Sequence, residues 1–146
     1  MERVDRIIPP NIPKAIGPYY PVTGVGDLLF ISGQIPINPE TGNIDQTDIE
    51  WQSHQVMKNL KNAVEGADSC MSNIAKCTIL LTDLNNFVKV NDIYDKYFEN
   101  GKYPARACYS VVGLPRGSLI EIEAVAVRNS VGESLKKKIK SEWLTL

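Results

Sequence analysis

Two hydrophobic periods alternate along this chain. Apolar and β-branched residues gather at 4–8 and 20–33, and Gly26-Asp27 is a dipeptide of the kind that closes a hairpin, so three short strands are predicted there as a meander. Asn38-Pro39-Glu40-Thr41-Gly42-Asn43 is rich in turn formers, and Thr47 followed three residues later by Glu50 makes a capping-box pattern that predicts a helix start. Ile49, Val56, Met57, Leu60, Ala63, Val64 and Ala67 then recur mostly in steps of three and four, the stripe of a helix lying on a sheet. IAKCTILLT at 74–82 is dense in aliphatic and β-branched side chains and short for a helix, so it reads as a largely buried strand. Asp83 or Asn85 can cap a second helix carrying Phe87, Val90, Tyr94, Tyr97 and Phe98 and ending at Asn100-Gly101. Strands at about 105–112 and 119–128, joined by Leu114-Pro115-Arg116-Gly117, complete the order βββαβαββ.

That order predicts an α+β fold in which two helices cover one face of a mixed sheet. Val111, Ile120, Ile122, Val125 and Val127 are expected to leave an apolar surface on the open face, which points to an oligomer. The 146 residues suit one core. With 16 Lys and Arg against 17 Asp and Glu, the chain has no global field to steer it onto nucleic acid or an anionic membrane, so both are disfavoured as partners. MERVDRII lacks the apolar run of a secretory signal, and the three cysteines, Cys70, Cys77 and Cys108, lack C-x-x-C spacing; reduced thiols in the cytoplasm are the expectation.

The segments Ile16-Gly17-Pro18-Tyr19, Ile31-Ser32-Gly33-Gln34-Ile35-Pro36, Val90-Asn91, Tyr103-Pro104-Ala105-Arg106-Ala107-Cys108 and Ile120-Glu121-Ile122-Glu123-Ala124-Val125-Ala126 together resemble the RidA family, also called YjgF, in register from about residue 9 to Arg128. The resemblance implies a chorismate-mutase-like homotrimer, with sheets packed into a central barrel and a ligand cleft between neighbouring subunits. It also implies deamination of reactive 2-imino acids, tautomers of enamines such as 2-aminoacrylate, to 2-keto acids and ammonia, with neither metal nor organic cofactor. On this basis 1–128 is the RidA-like domain and 129–146 an extension that can form a helical tail. Two departures stand out: Tyr20-Pro21, expected to narrow the cleft mouth, and Asp68, where members commonly carry glycine after the first helix and which can adopt a left-handed cap.

Period-two alternation puts Arg106, Cys108 and Ser110 on one face of their strand. Taken alone, Arg106 reads as a surface ion pair; with Pro104 and Cys108 in register it becomes the bidentate anchor for the carboxylate of a small 2-imino or 2-keto acid. Glu121 is assigned by the motif to orient water or exchange a proton with the imine nitrogen, with burial bringing its pKa toward working pH, while Glu123 reads as a solvated charge or salt bridge. Imine hydrolysis requires no covalent nucleophile; the resemblance implies that the Cys108 backbone helps position substrate or water, while its thiol reads as a small buried group. The resemblance places Tyr19 and Ser32 in the cleft lining, Asn91 with its amide toward it, and Gly33 where backbone geometry matters. His54, the single histidine, is expected at the surface. Leu135, Ile139 and Trp143 beside Lys136, Lys137, Lys138 and Lys140 suit a solvated helix docked on its own protein better than a nucleic-acid or membrane anchor. Two other functions compete: an endoribonuclease or translation inhibitor acting on RNA, and a non-catalytic trimer that binds small carboxylates or acts as a chaperone-like partner.

Overall fold

In the computed structural model, which describes residues 1–145, the strands are β1 (Asp5–Ile7), β2 (Val22–Val25), β3 (Leu28–Gln34), β4 (Ile74–Leu81), β5 (Ala105–Ser110) and β6 (Ile120–Val127). The helices are α1 (Ile49–Gly66), α2 (Phe87–Asp95) and α3 (Val131–Leu144). One sheet has the order β1-β2-β3-β6-β4-β5, with every neighbouring pair antiparallel except β4 and β5. The α+β reading and the βββαβαββ order hold, with the tail helix added after β6. Gly26-Asp27 is the two-residue link between the paired Val25 and Leu28, and Gly26 takes the positive φ of 57° that a tight hairpin demands.

The core lies between α1, α2 and one face of the sheet. Val56, Leu60, Ala63 and Val64 of α1 pack with Leu29, Ile79, Ile120 and Ile122 from the strands, all without exposed surface. Ile120 and Ile122 therefore belong to the helix-covered face, not to the open one. Strand parity requires this, because Ile120, Ile122, Ala124 and Ala126 alternate with Glu121, Glu123, Val125 and Val127. The open face is mixed in character: Leu28 and Phe30 pair with Val127 and Val125, while Glu121, Glu123, Lys76 and Thr78 supply polar ground.

Both helix boundaries move from their expected places for local reasons. Asp48, not Thr47, caps α1, its extended backbone letting the carboxylate accept the Trp51 N–H at 2.9 Å; a carboxylate complements the positive helix end better than a hydroxyl does. Asp83 caps a single 3-10 turn, Leu84–Asn86, before α2. The helix then stops at Asp95 rather than Asn100, because the chain turns extended at Phe98 to bury that ring beside Tyr94, with centroids 4.7 Å apart. Asn100 and Gly101, at φ 55° and 68°, then reverse the chain toward β5.

Asp68 and the tail that follows Arg128 meet in space. Asp68 does adopt the left-handed conformation, at φ 63°. Its carbonyl accepts the Asn129 N–H at 2.8 Å and its carboxylate accepts the Ser134 hydroxyl at 2.7 Å, so it tethers the start of α3. Ser130 and Glu133 close a reciprocal capping box there.

Candidate active site

β3 carries a bulge: Ile31 pairs with Ala124 and Gln34 with Ile122, so three steps on one strand match two on the other. Ser32 and Gly33 occupy the irregularity. The side chain of Glu121 lies against Gly33 so closely that a Cβ there would sit 2.8 Å from the carboxyl carbon and would push the carboxyl end aside. The Ser32 hydroxyl donates to the Tyr20 carbonyl at 2.6 Å, its N–H donates to the Pro21 carbonyl, and the buried Gln34 amide donates to the Ser32 carbonyl at 3.0 Å. Tyr19 closes the mouth, its hydroxyl accepting the Ile16 N–H at 3.2 Å. Ile16, Tyr19, Ser32, Gly33, Pro115 and Glu121 line a cleft of about 380 Å3 on the open side of the sheet. Tyr20 is not in that lining; it reaches the site through its carbonyl.

Burial pushes the Glu121 carboxyl above the usual carboxylate range, and the neighbouring Glu123 charge pushes it further in the same direction. Among the described residues, no cation lines this cleft.

The loop that follows β3 is held from beneath by α1. Fully buried Asn59 donates to the carbonyls of Ile35 and Ile37 at 3.2 and 2.9 Å and accepts from Gln55. Gln52, also buried, accepts the Leu119 N–H at 2.8 Å just before Glu121 enters β6 and donates to the Gln46 carbonyl. Sequence reasoning passed over both residues. Their signal was present: amides at positions 52 and 59 fall on the stripe that α1 buries, where a polar residue needs a partner.

Arg106, Asn91 and Cys108 stand elsewhere. Arg106 pairs in register with buried Cys77 on β4, which places it and Cys108 on the helix side of the sheet. Its guanidinium carbon lies 5.1 Å from the Tyr94 ring centre and 5.5 Å from that of Phe87, a cation–π cradle under α2. The hollow around it, lined by Asn91, Tyr94, Asp95, Tyr103 and Pro104, is open to solvent at the sheet's edge. Burial raises the Cys108 pKa, partly offset by Arg106, so the sulfur is a thiol at neutral pH. His54 is half-buried rather than at the surface: its Nδ1 lies 2.9 Å from the Tyr97 hydroxyl, and burial, then Lys96 and Lys58, lower its pKa. Among the described residues no three His, Cys, Asp or Glu side chains converge on a metal-sized site, and no helix is long and apolar enough to cross a membrane.

The proposed site residues thus fall into two groups in one protomer. Tyr19, Ser32, Gly33 and Glu121 share the open side; Asn91, Arg106 and Cys108 share the helix side, with β4 between the strands that carry Glu121 and Arg106.

Residues 10–128 match the family model described as Endoribonuclease L-PSP. A 2-iminobutanoate/2-iminopropanoate deaminase of Escherichia coli is 43% identical over 120 residues, 81% of this chain and 93% of that protein. The crystal structure of the Escherichia coli YjgF gene product superimposes with a TM-score of 0.81 at 41% identity, covering 86% of this chain and 99% of that one. The structure of Escherichia coli TdcF with bound serine gives 0.78 at 38% identity, covering 85% and 100%. By its family-model match, its identity to these relatives and its fold, the chain belongs to the Endoribonuclease L-PSP family, the RidA (YjgF) family that its sequence resembles.

Proposed function

We propose that this protein hydrolyses 2-imino acids to 2-keto acids and ammonia at a site completed between two copies of the chain in a homotrimer. The observation that carries the reading is Glu121: a half-buried carboxyl with a raised pKa, laid on a bare glycine in a cleft that contains no cation. Such a group can take a proton from water and return it within one turnover. A carboxylate substrate also needs a cation, and Arg106 stands at the open edge strand β5, where a neighbouring copy can present it to the cleft. The similarity to a named deaminase, and to a relative whose structure holds an amino acid, supports the same substrate class.

In this mechanism the guanidinium of Arg106 holds the substrate carboxylate through paired N–H donors. Water adds to C2 of the protonated imine as the C=N π electrons move to nitrogen, and Glu121 accepts the proton that water loses. The resulting carbinolamine carries hydroxyl and amine on one carbon. Glu121 then donates its proton to the amine, the C–N bond breaks, and the oxygen lone pair forms the carbonyl as ammonia leaves. The hydroxyl proton passes to the carboxylate or to solvent, so the net reaction is imino acid plus water giving keto acid plus ammonia. Neither the Cys108 thiol nor any cofactor takes part in these steps.

The test is keto-acid release from 2-aminoacrylate or 2-iminobutanoate generated in situ, measured against uncatalysed hydrolysis. Arg106→Ala and Glu121→Gln should each lower the rate ~100–1,000-fold, the cost of losing one preorganised charged contact. Light scattering should return a trimer mass. No acceleration by a folded wild-type trimer would overturn the enzymatic reading in favour of a carboxylate-binding protein.

A further inference from the structure

Helix α3 meets its own protein with its polar side. The Ser134 hydroxyl donates to the Asp68 carboxylate at 2.7 Å, and Lys137 Nζ reaches the Glu65 carbonyl at 3.4 Å. Val131, Leu135, Ile139 and Trp143 recur every four residues and project from an arc centred roughly 150° around the helix from that contact, at 3.6 residues per turn. They remain 87%, 55%, 45% and 74% exposed. A helix that sealed its own core would bury this stripe.

Charge borders the stripe on both sides. Lys138 lies along one edge and Lys136 along the other, with Lys137 and Lys140 on the polar side. Four lysines against two glutamates give residues 129–146 a net charge of +2, while the whole chain is −1, so the body before the tail is at −3. The tail thus reverses the sign of the domain that carries it and combines that charge with an outward apolar stripe ending in tryptophan.

We infer that α3 binds the surface of an anionic lipid bilayer, lying in the plane of the interface with Leu135, Ile139 and Trp143 in the acyl boundary and Lys136 and Lys138 at the lipid phosphates. At 14 residues it is too short to span the hydrocarbon, so the contact is peripheral. The geometry favours lipid over a protein groove. A spacing of four drifts about 40° per step, so the stripe winds through roughly 120° instead of keeping one line. A rigid groove reads anchors at i, i+3 or i+4, and i+7 along one line, whereas a fluid interface accommodates the drift and lets lysine stems lie along it with their charges in water. Glu142 is the one charge inside the apolar arc, and it opposes the interaction. The helix is tethered through Asp68 at the end of α1, on the helix side of the sheet, so it leaves the Glu121 cleft on the opposite face uncovered.

The experiment is co-sedimentation of the full chain with phosphatidylcholine vesicles with and without phosphatidylserine, together with the emission of Trp143, identified by difference against Trp143→Phe. Binding is expected only to the phosphatidylserine vesicles, with a blue shift of Trp143 and weakening by salt. Lys136→Ser with Lys138→Ser should weaken it about 30-fold, at about 1 kcal/mol for each lysine at the surface. Leu135→Ser with Ile139→Ser should abolish it, and Glu142→Gln should strengthen it. Melting temperature and imine hydrolysis should stay unchanged in these variants, because the altered side chains are exposed and lie outside the cleft. Absence of binding to anionic vesicles would overturn the inference. So would equal binding by the serine variants, or stripe-dependent association of trimers without lipid, which would assign the stripe to a second copy.

Discussion

The Glu121 cleft and the Arg106 hollow are built in opposite ways. Glu121 sits on a bulged central region of the sheet, packed against Gly33, and the flanking loops are pinned by buried Gln34, Gln52 and Asn59. Arg106 stands on the exposed edge strand, steadied by two aromatic rings and open toward solvent. Glu121 is thus held in place by the protomer's own fold, while Arg106 stands at its boundary. Under the proposed function, that separation requires a second copy of the chain to bring the two groups to one substrate.

The largest effect expected from that contrast is complementation. Trimers formed by refolding Arg106→Ala and Glu121→Gln chains together in equal amounts should recover about a quarter of the wild-type sites, because a site shared across a cyclic interface is intact wherever the two variants meet in the right order. Assays on the mixture, set against each variant refolded alone, read this directly; activity no higher than in the separate variants would place both groups in one protomer. Next in size, Gly33→Ala puts a methyl group 2.8 Å from the Glu121 carboxyl carbon. The carboxyl, as the free end of its side chain, should swing aside with little change in urea melts, and kcat should fall while the Arg106 hollow stays intact. The smallest change concerns pH. As the base, Glu121 must ionise, so kcat/KM should rise with pH through an apparent pKa above the ordinary glutamate range, and Glu123→Gln, which removes the like charge, should move that limb to lower pH. Stability runs the other way. Below the unfolded pKa of Glu121 the group is protonated in both states. As pH climbs toward the raised folded pKa the unfolded chain ionises first and the native state loses stability, a slope that Glu121→Gln should remove.

Much of the fold was legible because its signals are local. A Gly-Asp pair between two apolar runs specifies a hairpin, and a three-four stripe specifies which face α1 buries, whatever lies opposite. The misplaced boundaries had tertiary causes or close competitors: Phe98 leaves the helical path to reach the core, and Asp48 outcompetes Thr47 one residue away. Tyr19, Ser32, Gly33 and Glu121 were recognisable as a set through their motifs, whereas Gln52 and Asn59 were hidden inside a stripe read only for its apolar members.

By itself the sequence determined the order of elements, the alternation of each strand and the identity of the charged groups, since each of these depends on neighbours within a few residues. It could not determine which face of β5 corresponds to which face of β6. That is decided across β4, where Cys77 pairs with Arg106 on one side while Leu80 pairs with Glu121 on the other. Register between distant strands is set by how the whole core packs, and a shift of one residue would turn either charge to the opposite face.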